Sequence, residues 1–257
     1  MVPESFTNHL KRKLAAGTPV NGLWVTLESP TITEIAVLLK LDFVVIDTEH
    51  GSLDFSEVLN HLRAIGNSTT TPIVRIPRID QGIIKRVLDL GAGGIIVPQV
   101  NSAEEVAEAV RFAKYPPWGV RGVGGERATR WGMGLKEYTA SADDETLVIP
   151  LLETVPGGQA LGEILKIRGV DAIWFGPADY SASAGYLGQW EGPGVAEKLL
   201  EFKDRVRGRG LPCGILGTDF DDARMRRQQG FQMIGLGSDA GLLAKAISQG
   251  LDRMALA

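Results

Sequence analysis

The chain has 257 residues, 44% hydrophobic and 23% charged, which suits one large globular domain and excludes a disordered or fibrous class. Its 27 Lys and Arg against 31 Asp and Glu give a formal charge of −4 without a basic block, which argues against nucleic acid or an anionic membrane surface as a partner. A single cysteine, Cys213, rules out an intramolecular disulfide, the N-terminal MVPESFTNHLKRK lacks the apolar core of a signal peptide, and no run approaches the ~18 apolar residues of a membrane helix. A cytoplasmic location is expected.

In chain order, eight short apolar runs read as buried strands: Gly22–Leu27, Phe43–Ile46, Pro72–Ile76, Gly94–Val97, Leu147–Leu152, Ala172–Phe175, Cys213–Leu216 and Gln232–Leu236. Helical segments with their own punctuation separate most of them. Asp54-Phe-Ser-Glu57 and Ser102-Ala-Glu-Glu105 have the form of capping boxes, the second opening a helix that stops before Pro116, and Gly91 and Gly230 stand where C-terminal caps belong. His9 and His61 fall in helical stretches expected to be solvated, and Cys213, inside an apolar run, reads as a small buried hydrophobe. Strands too apolar to have a wet face indicate a parallel sheet covered on both sides. Eight of them alternating with helices is the number that closes a (β/α)₈ TIM barrel, here a single domain over residues 1–257.

Such barrels carry their chemistry on the loops at the C-terminal ends of the strands. Trp24 stands there after the first strand, Asp47-Thr48-Glu49-His50-Gly51 after the second, and Arg75 at the end of the third. Pro98-Gln99 follows the fourth, Glu153 the fifth, Asp179 the sixth, and Gly237-Ser238-Asp239 the eighth. The opposite ends, at Leu41, Thr71, Gly94, Val170 and Pro212, are poorer in reactive groups. That polarity favours an enzyme over an inert barrel.

Glu153 and Asp179, hard oxygen ligands on neighbouring strand ends, suit a divalent cation with open positions for water and substrate. The plain alternative is a pair of ordinary loop acids. A histidine in an Asp-x-Glu-His-Gly run at a strand end, as His50 is, reads as a general base rather than a core residue, since histidine is the residue type suited to proton transfer near neutrality. Arg75 places a cation on one face of a buried strand and demands an anion, either a structural carboxylate or a substrate. Asp47 and Glu49 have three roles open: ligating metal through water, orienting His50, or pairing with Arg75. The long glycine-rich segment from Tyr115 to Arg130 carries Arg121, Arg127 and Arg130, which either cover an anionic substrate or belong to a solvated loop.

The runs DFVVIDTEHG, PIVRIP, GAGGIIVPQV, YPPWGVRG, LLET and VDAIWFGPADYSAS occur in this order across nearly the whole chain. Together they resemble the HpcH/HpaI family of metal-dependent (class II) pyruvate aldolases, which includes 4-hydroxy-2-oxoheptanedioate, 2-keto-3-deoxy-rhamnonate and 2-dehydro-3-deoxyglucarate aldolases. The resemblance implies a (β/α)₈ barrel, commonly a hexamer (a trimer of dimers) with exchanged C-terminal helices. It implies reversible cleavage of 4-hydroxy-2-oxo acids to pyruvate and an aldehyde. By the same resemblance Glu153 and Asp179 hold a divalent cation (Mg²⁺, Mn²⁺ or Co²⁺), His50 is the acid/base residue and Arg75 steadies the enolate oxygen. The backbone of Gly176, Pro177, Ala178 and Asp179 receives the pyruvate carboxylate, and Trp24 and Leu216 line the substrate pocket. Asp47 and Asp89 orient the histidine, Asp89 reaching in from a neighbouring subunit. Leu151 and Tyr180 depart from the pattern, standing where many members have Gln and Leu.

Four other readings of the same residues stand beside this one. A class I aldolase needs an inward lysine on a strand, whereas Lys40 and Lys166 precede strands and Lys85, Lys114 and Lys136 fall in helices or the long loop. A sugar-phosphate isomerase or epimerase would use Gly235-Leu236-Gly237-Ser238-Asp239 as a phosphate cradle. An acyl-CoA lyase would need a basic CoA-binding cluster, which is not evident. A ligand-binding barrel without catalysis would leave the convergence of Asp47, His50, Arg75, Glu153 and Asp179 on one rim unaccounted for.

Overall fold

A computed structural model of the chain describes residues 6–255; the first five residues of the N-terminal stretch read above lie outside it. The strands are β1 (Val20–Val25), β2 (Phe43–Asp47), β3 (Thr71–Arg75), β4 (Gly94–Val97), β5 (Leu147–Leu152), β6 (Ile173–Phe175), β7 (Cys213–Leu216) and β8 (Met233–Ser238). Each pairs in parallel with the next and β8 pairs with β1, closing the barrel. All eight expected strands are present. Five strands shift at an edge by one or two residues; in particular β1 ends at Val25, so Trp24 lies within the strand rather than after it, and β8 runs on through Ser238.

The helices are α1 (His9–Ala15), α2 (Pro30–Leu38), α3 (Phe55–Ile65), α4 (Gln81–Leu90), α5 (Ala103–Ala113), α6 (Leu135–Glu145), α7 (Val155–Ile164), α8 (Pro177–Ser183), α9 (Val195–Gly208), α10 (Phe220–Gln228) and α11 (Asp239–Ala255). Asp54 forms a complete capping box with Glu57 at the start of α3. The box expected at Ser102 forms by half: Ser102 Oγ accepts the Glu105 N–H at 3.3 Å, while the Glu105 carboxylate accepts the Asn101 N–H at 2.7 Å.

Strand alternation sorts the apolar residues into two cores. Val44, Ile46, Val74, Val148 and Leu152 face the helices, whereas Phe43, Val45, Ile73, Ile149, Leu151 and Trp174 fill the barrel interior. Gly214 makes room for an aromatic there, since a Cβ on it would lie 2.4 Å from the Trp174 ring. Helix α1 plugs the barrel at the N-terminal ends of the strands with Leu10 and Leu14. Charges that α1 brings to that end are paired: Lys11 with Asp171 at 2.8 Å, Lys13 with Asp42 at 2.5 Å, and Arg12 with Glu145. The C-terminal mouth therefore stays open while the floor is closed and neutralised.

Two further expectations are corrected. His61 is fully buried, with Nδ1 2.7 Å from Thr33 Oγ1, because it shares the inward stripe of α3 with Val58, Leu62 and Ile65. The segment from Tyr115 to Arg130 follows α5, not β4 directly, and so lies toward the closed end of the barrel rather than over the mouth. Arg121 is buried against Asp89 (2.8 Å) and the Tyr138 hydroxyl (3.1 Å), and Arg127 donates to the carbonyls of Leu90 and Leu62. Arg130 is exposed, with its guanidinium 5.1 Å from the Phe6 ring. Cys213 is buried as expected, and burial pushes its thiol up to about 12. No described helix is long and apolar enough to cross a membrane.

Candidate active site

The inward-facing positions on β2 and β3 place Asp47 and Arg75 side by side at the top of the barrel, paired in register. Arg75 Nε donates to Asp47 Oδ1 at 2.8 Å, Nη2 donates to Oδ2, and Nη1 lies 2.9 Å from Glu49 Oε2. Of the three roles open for Asp47 and Glu49, the structure realises the pairing with Arg75. Asp47 is nearly inaccessible, and burial opposes its charge. The hydrogen bonds and charge of Arg75, with the Trp24 indole and the Glu49 amide, outweigh that penalty and hold its carboxyl below the usual range.

Trp24 Nε1 donates to Asp47 Oδ2 at 3.0 Å, and its ring lies 5.0 Å from the Arg75 guanidinium. Its N–H is thus committed, leaving only ring surface for a ligand. His50, exposed on the loop after β2, has its backbone N–H on Asp47 Oδ1 at 3.3 Å, so Asp47 shapes the loop that presents the imidazole. Burial pushes the neighbouring Glu49 carboxyl up, against the opposing charge of Arg75.

Glu153 emerges inward just beyond β5, above Leu147, Ile149 and Leu151. It is 2% exposed. Its Oε1 accepts the backbone N–H of Gln99 at 2.6 Å. Its Oε2 borders the space left by Gly176, where a Cβ would sit 2.9 Å from that oxygen and 2.8 Å from Glu153 Cβ. Burial pushes the Glu153 carboxyl up to about 8; the Gln99 amide opposes this, while Glu49 and Asp179 add negative charge that raises it further. Asp179 stands in the first turn of α8, exposed at the mouth.

The carboxylates of Glu153, Glu49 and Asp179, the first two pushed toward protonation by burial and by neighbouring acids, lie by an arginine already committed to Asp47 and Glu49, so the site's missing charge is positive. Their all-oxygen donor set fits a hard divalent cation held by Glu153 and Asp179. Among the described residues no group of three or more His, Cys, Asp and Glu is arranged to hold a metal, so any cation here relies on two protein ligands and on oxygens from elsewhere.

The start of α8 narrows the expected carboxylate receiver. Gly176 N–H is spent on Leu152 O at 3.2 Å and Pro177 has no N–H, which leaves the amides of Ala178 and Asp179. Leu216, half-buried at the end of β7, packs toward Gly235 of β8. Leu151 is buried beneath Glu153 and lies 3.5 Å from the position a Gly176 Cβ would take, so an apolar wall replaces a polar one there. Tyr180 faces away from the mouth and packs edge-on against Phe202.

Asp89 does not reach the mouth within one chain; it lies near the C-terminal end of α4, paired with Arg121. Concavities of about 480 Å³ around Thr71 and Gly93, about 690 Å³ beside Asp89 and about 720 Å³ beside Tyr115 all lie away from Glu153 and Asp179. The residue whose role was not foreseen is Gln99, which bridges the two acidic loops through its N–H on Glu153 and its side-chain amide 3.4 Å from Glu49.

The rival readings fare poorly at this site. Lys114, which burial lowers to about 8, donates to the carbonyls of Asp143 and Thr146 near the closed end of the barrel. The proposed phosphate cradle contains Asp239, whose carboxylate already takes the amides of Thr26 and Leu27 at 3.0 Å and would repel an anion.

The model of the family described as HpcH/HpaI aldolase/citrate lyase matches residues 21–246. A hydroxypyruvate/pyruvate aldolase of Deinococcus radiodurans is 37% identical over 95% of this chain and 88% of its own length. A 4-hydroxy-2-oxovalerate aldolase of Rhodococcus jostii is 37% identical over 95% of each chain. The crystal structure of a family member from Burkholderia cenocepacia superposes with a TM-score of 0.91 at 32% identity, covering 96% of this chain and 99% of that one. The chain belongs to the HpcH/HpaI aldolase/citrate lyase family and is an enzyme of its class II pyruvate aldolase type.

Proposed function

We propose that this barrel is a divalent-metal-dependent lyase that reversibly cleaves 4-hydroxy-2-oxo acids to pyruvate, or a pyruvate-like 2-oxo acid, and an aldehyde. The observation that carries this reading is the buried Glu153, one oxygen committed to Gln99 and the other facing the space beside Gly176, with Asp179 close enough to raise its protonation. The aldolase names of relatives sharing over a third of their residues support the same reaction.

Breaking the C3–C4 bond requires removal of the C4 hydroxyl proton and accommodation of the negative charge that develops on the 2-oxo oxygen. A divalent cation held by Glu153 and Asp179 would supply Lewis-acid stabilisation of that charge. Arg75 contributes fixed positive charge: two of its five N–H groups hydrogen-bond to Asp47 and Nη1 is ion-paired with Glu49, leaving donors on Nη1 and Nη2 for the oxygen. Asp47 and Glu49 hold that fork rigid, so no reorganisation is needed as charge appears. The amides of Ala178 and Asp179 receive the substrate carboxylate. His50 takes the hydroxyl proton and returns it in the aldol direction.

The reading extends to assembly. Of the 17 residues of α11, Asp239 alone is buried. Leu243, Ile247, Leu251 and Met254 form an exposed apolar stripe at helical spacing. We propose that this helix packs against a neighbouring copy, in an oligomer of hexameric type, and that Asp89 serves a neighbour's site. Mg²⁺, Mn²⁺ and Co²⁺ all suit the oxygen donors.

The test is pyruvate release from a panel of 4-hydroxy-2-oxo acids after chelation and after return of each metal. Chelation should abolish release and metal restore it. Borohydride treatment with pyruvate should leave activity intact; irreversible inactivation with a covalently labelled lysine would refute the class II assignment.

A further inference from the structure

Gln99 is one of the few non-glycine residues in the left-handed backbone region, at φ 50°. For a residue with a Cβ this conformation is disfavoured and needs outside support. The support comes from its neighbour: Asn101 Nδ2 donates to the Gln99 carbonyl at 2.7 Å, and Asn101 Oδ1 accepts the Thr154 hydroxyl at 2.8 Å. Thr154 directly follows Glu153 and is also the N-cap of α7, taking the Gly157 N–H at 3.0 Å. The side-chain amide of Asn101 therefore ties the loop after β4 to the loop after β5. The left-handed turn it secures aims the Gln99 N–H at Glu153 Oε1, 2.6 Å away, and leaves Oε2 toward the Gly176 space.

We propose that Asn101 is a positioning residue for the cation site, acting through the turn at Gln99 to fix which oxygen of Glu153 is free to bind. This rests on the reading of Glu153 as a metal ligand. Nothing in Asn101 touches the reacting groups; its function is to keep a strained backbone donor in place, so that the carboxylate presents one oxygen in a set direction. Groups that orient a ligand in this way usually govern metal affinity by ~10-fold or more.

The experiment is calorimetric titration of Mn²⁺ into the wild type, Asn101→Ala, Gln99→Gly and the double variant, with melting temperature recorded for each. Asn101→Ala should weaken Mn²⁺ binding ~10-fold. Glycine at position 99 adopts positive φ without outside support. Gln99→Gly keeps the N–H to Glu153 and gives up the side-chain contact to Glu49, so it is the reference for the double variant, in which adding Asn101→Ala should cost less than about twofold in affinity. Mn²⁺ affinity within about twofold of wild type in Asn101→Ala would overturn the proposal, as would a loss that glycine at position 99 does not relieve. No Mn²⁺ binding by the wild type would refute the cation reading itself, and the role of Asn101 with it.

Discussion

Replacing Arg75 by Lys separates the charge of this residue from its shape. The guanidinium makes three charge-assisted contacts from one rigid plane: Nε to Asp47 Oδ1 at 2.8 Å, Nη2 to Oδ2, and Nη1 to Glu49 Oε2 at 2.9 Å. A lysine ammonium is a point charge on a flexible stem and cannot span both acids while facing a substrate oxygen. Losing one such contact costs ~1.5–3 kcal/mol. If that loss falls on the transition state, turnover drops at least ~10-fold, since ~1.4 kcal/mol is one decade in rate. If the same contact also holds the folded state, melting falls by about 3–12 °C, at roughly 2–4 °C per kcal/mol for a chain of this size. Steady-state kinetics of pyruvate release and thermal denaturation of one preparation read both effects. Substrate affinity should change less than turnover, because the ground-state carbonyl carries little charge. Wild-type turnover with a lowered melting temperature would refute the catalytic assignment and leave Arg75 as the structural partner of Asp47 and Glu49.

His50→Ala should lower cleavage at least ~100-fold with metal binding within twofold of wild type, the effect expected of a general base; near-normal cleavage would assign the base elsewhere. Gly176→Ala places a Cβ 2.8 Å from Glu153 Cβ and 2.9 Å from its Oε2, so it should weaken metal affinity at least ~10-fold with little change in melting, read by calorimetry. Burial raises the Glu153 carboxyl from 4.5 to about 8 in the metal-free protein, so the folded chain binds more protons than the unfolded one between those values. Its contribution to stability is therefore full below the lower value and is lost as pH rises through the window. A cation must displace that proton, so apparent metal affinity should rise by up to ~10-fold per pH unit toward pH 8 and then level off, with proton release measurable in buffers of different ionisation enthalpy.

The strands were legible because a parallel sheet covered by helices leaves no wet face, and runs such as Leu147–Leu152 are buried at every position. The rim was legible for the same reason: where an apolar run ends, the next polar residue stands at a strand end. Chain order did not reveal which end of the barrel a long connection would occupy. The loop carrying Arg121 follows a helix rather than a strand, and it packs toward the closed end. His61 was misplaced because its polarity outweighed its position in the stripe of Val58, Leu62 and Ile65. Gln99 carries no sequence mark of its left-handed backbone, which glycine or asparagine usually signals. Its hold on Glu153 was accordingly invisible. The receiver of the substrate carboxylate was only half legible: Pro177 announces its missing N–H, whereas the bond from Gly176 N–H to Leu152 O depends on the tertiary fold.

The most direct test of the cation site is calorimetric titration of Mn²⁺ into the wild type, Glu153→Ala and Asp179→Ala, with circular dichroism to confirm folding. Both positions lie on the rim, outside the two apolar cores, so both variants should keep the barrel intact. The wild type should bind one Mn²⁺ per chain, and each substitution should reduce affinity at least ~100-fold, as loss of one of two protein ligands implies. Wild-type affinity in both variants would place the metal elsewhere and contradict the account.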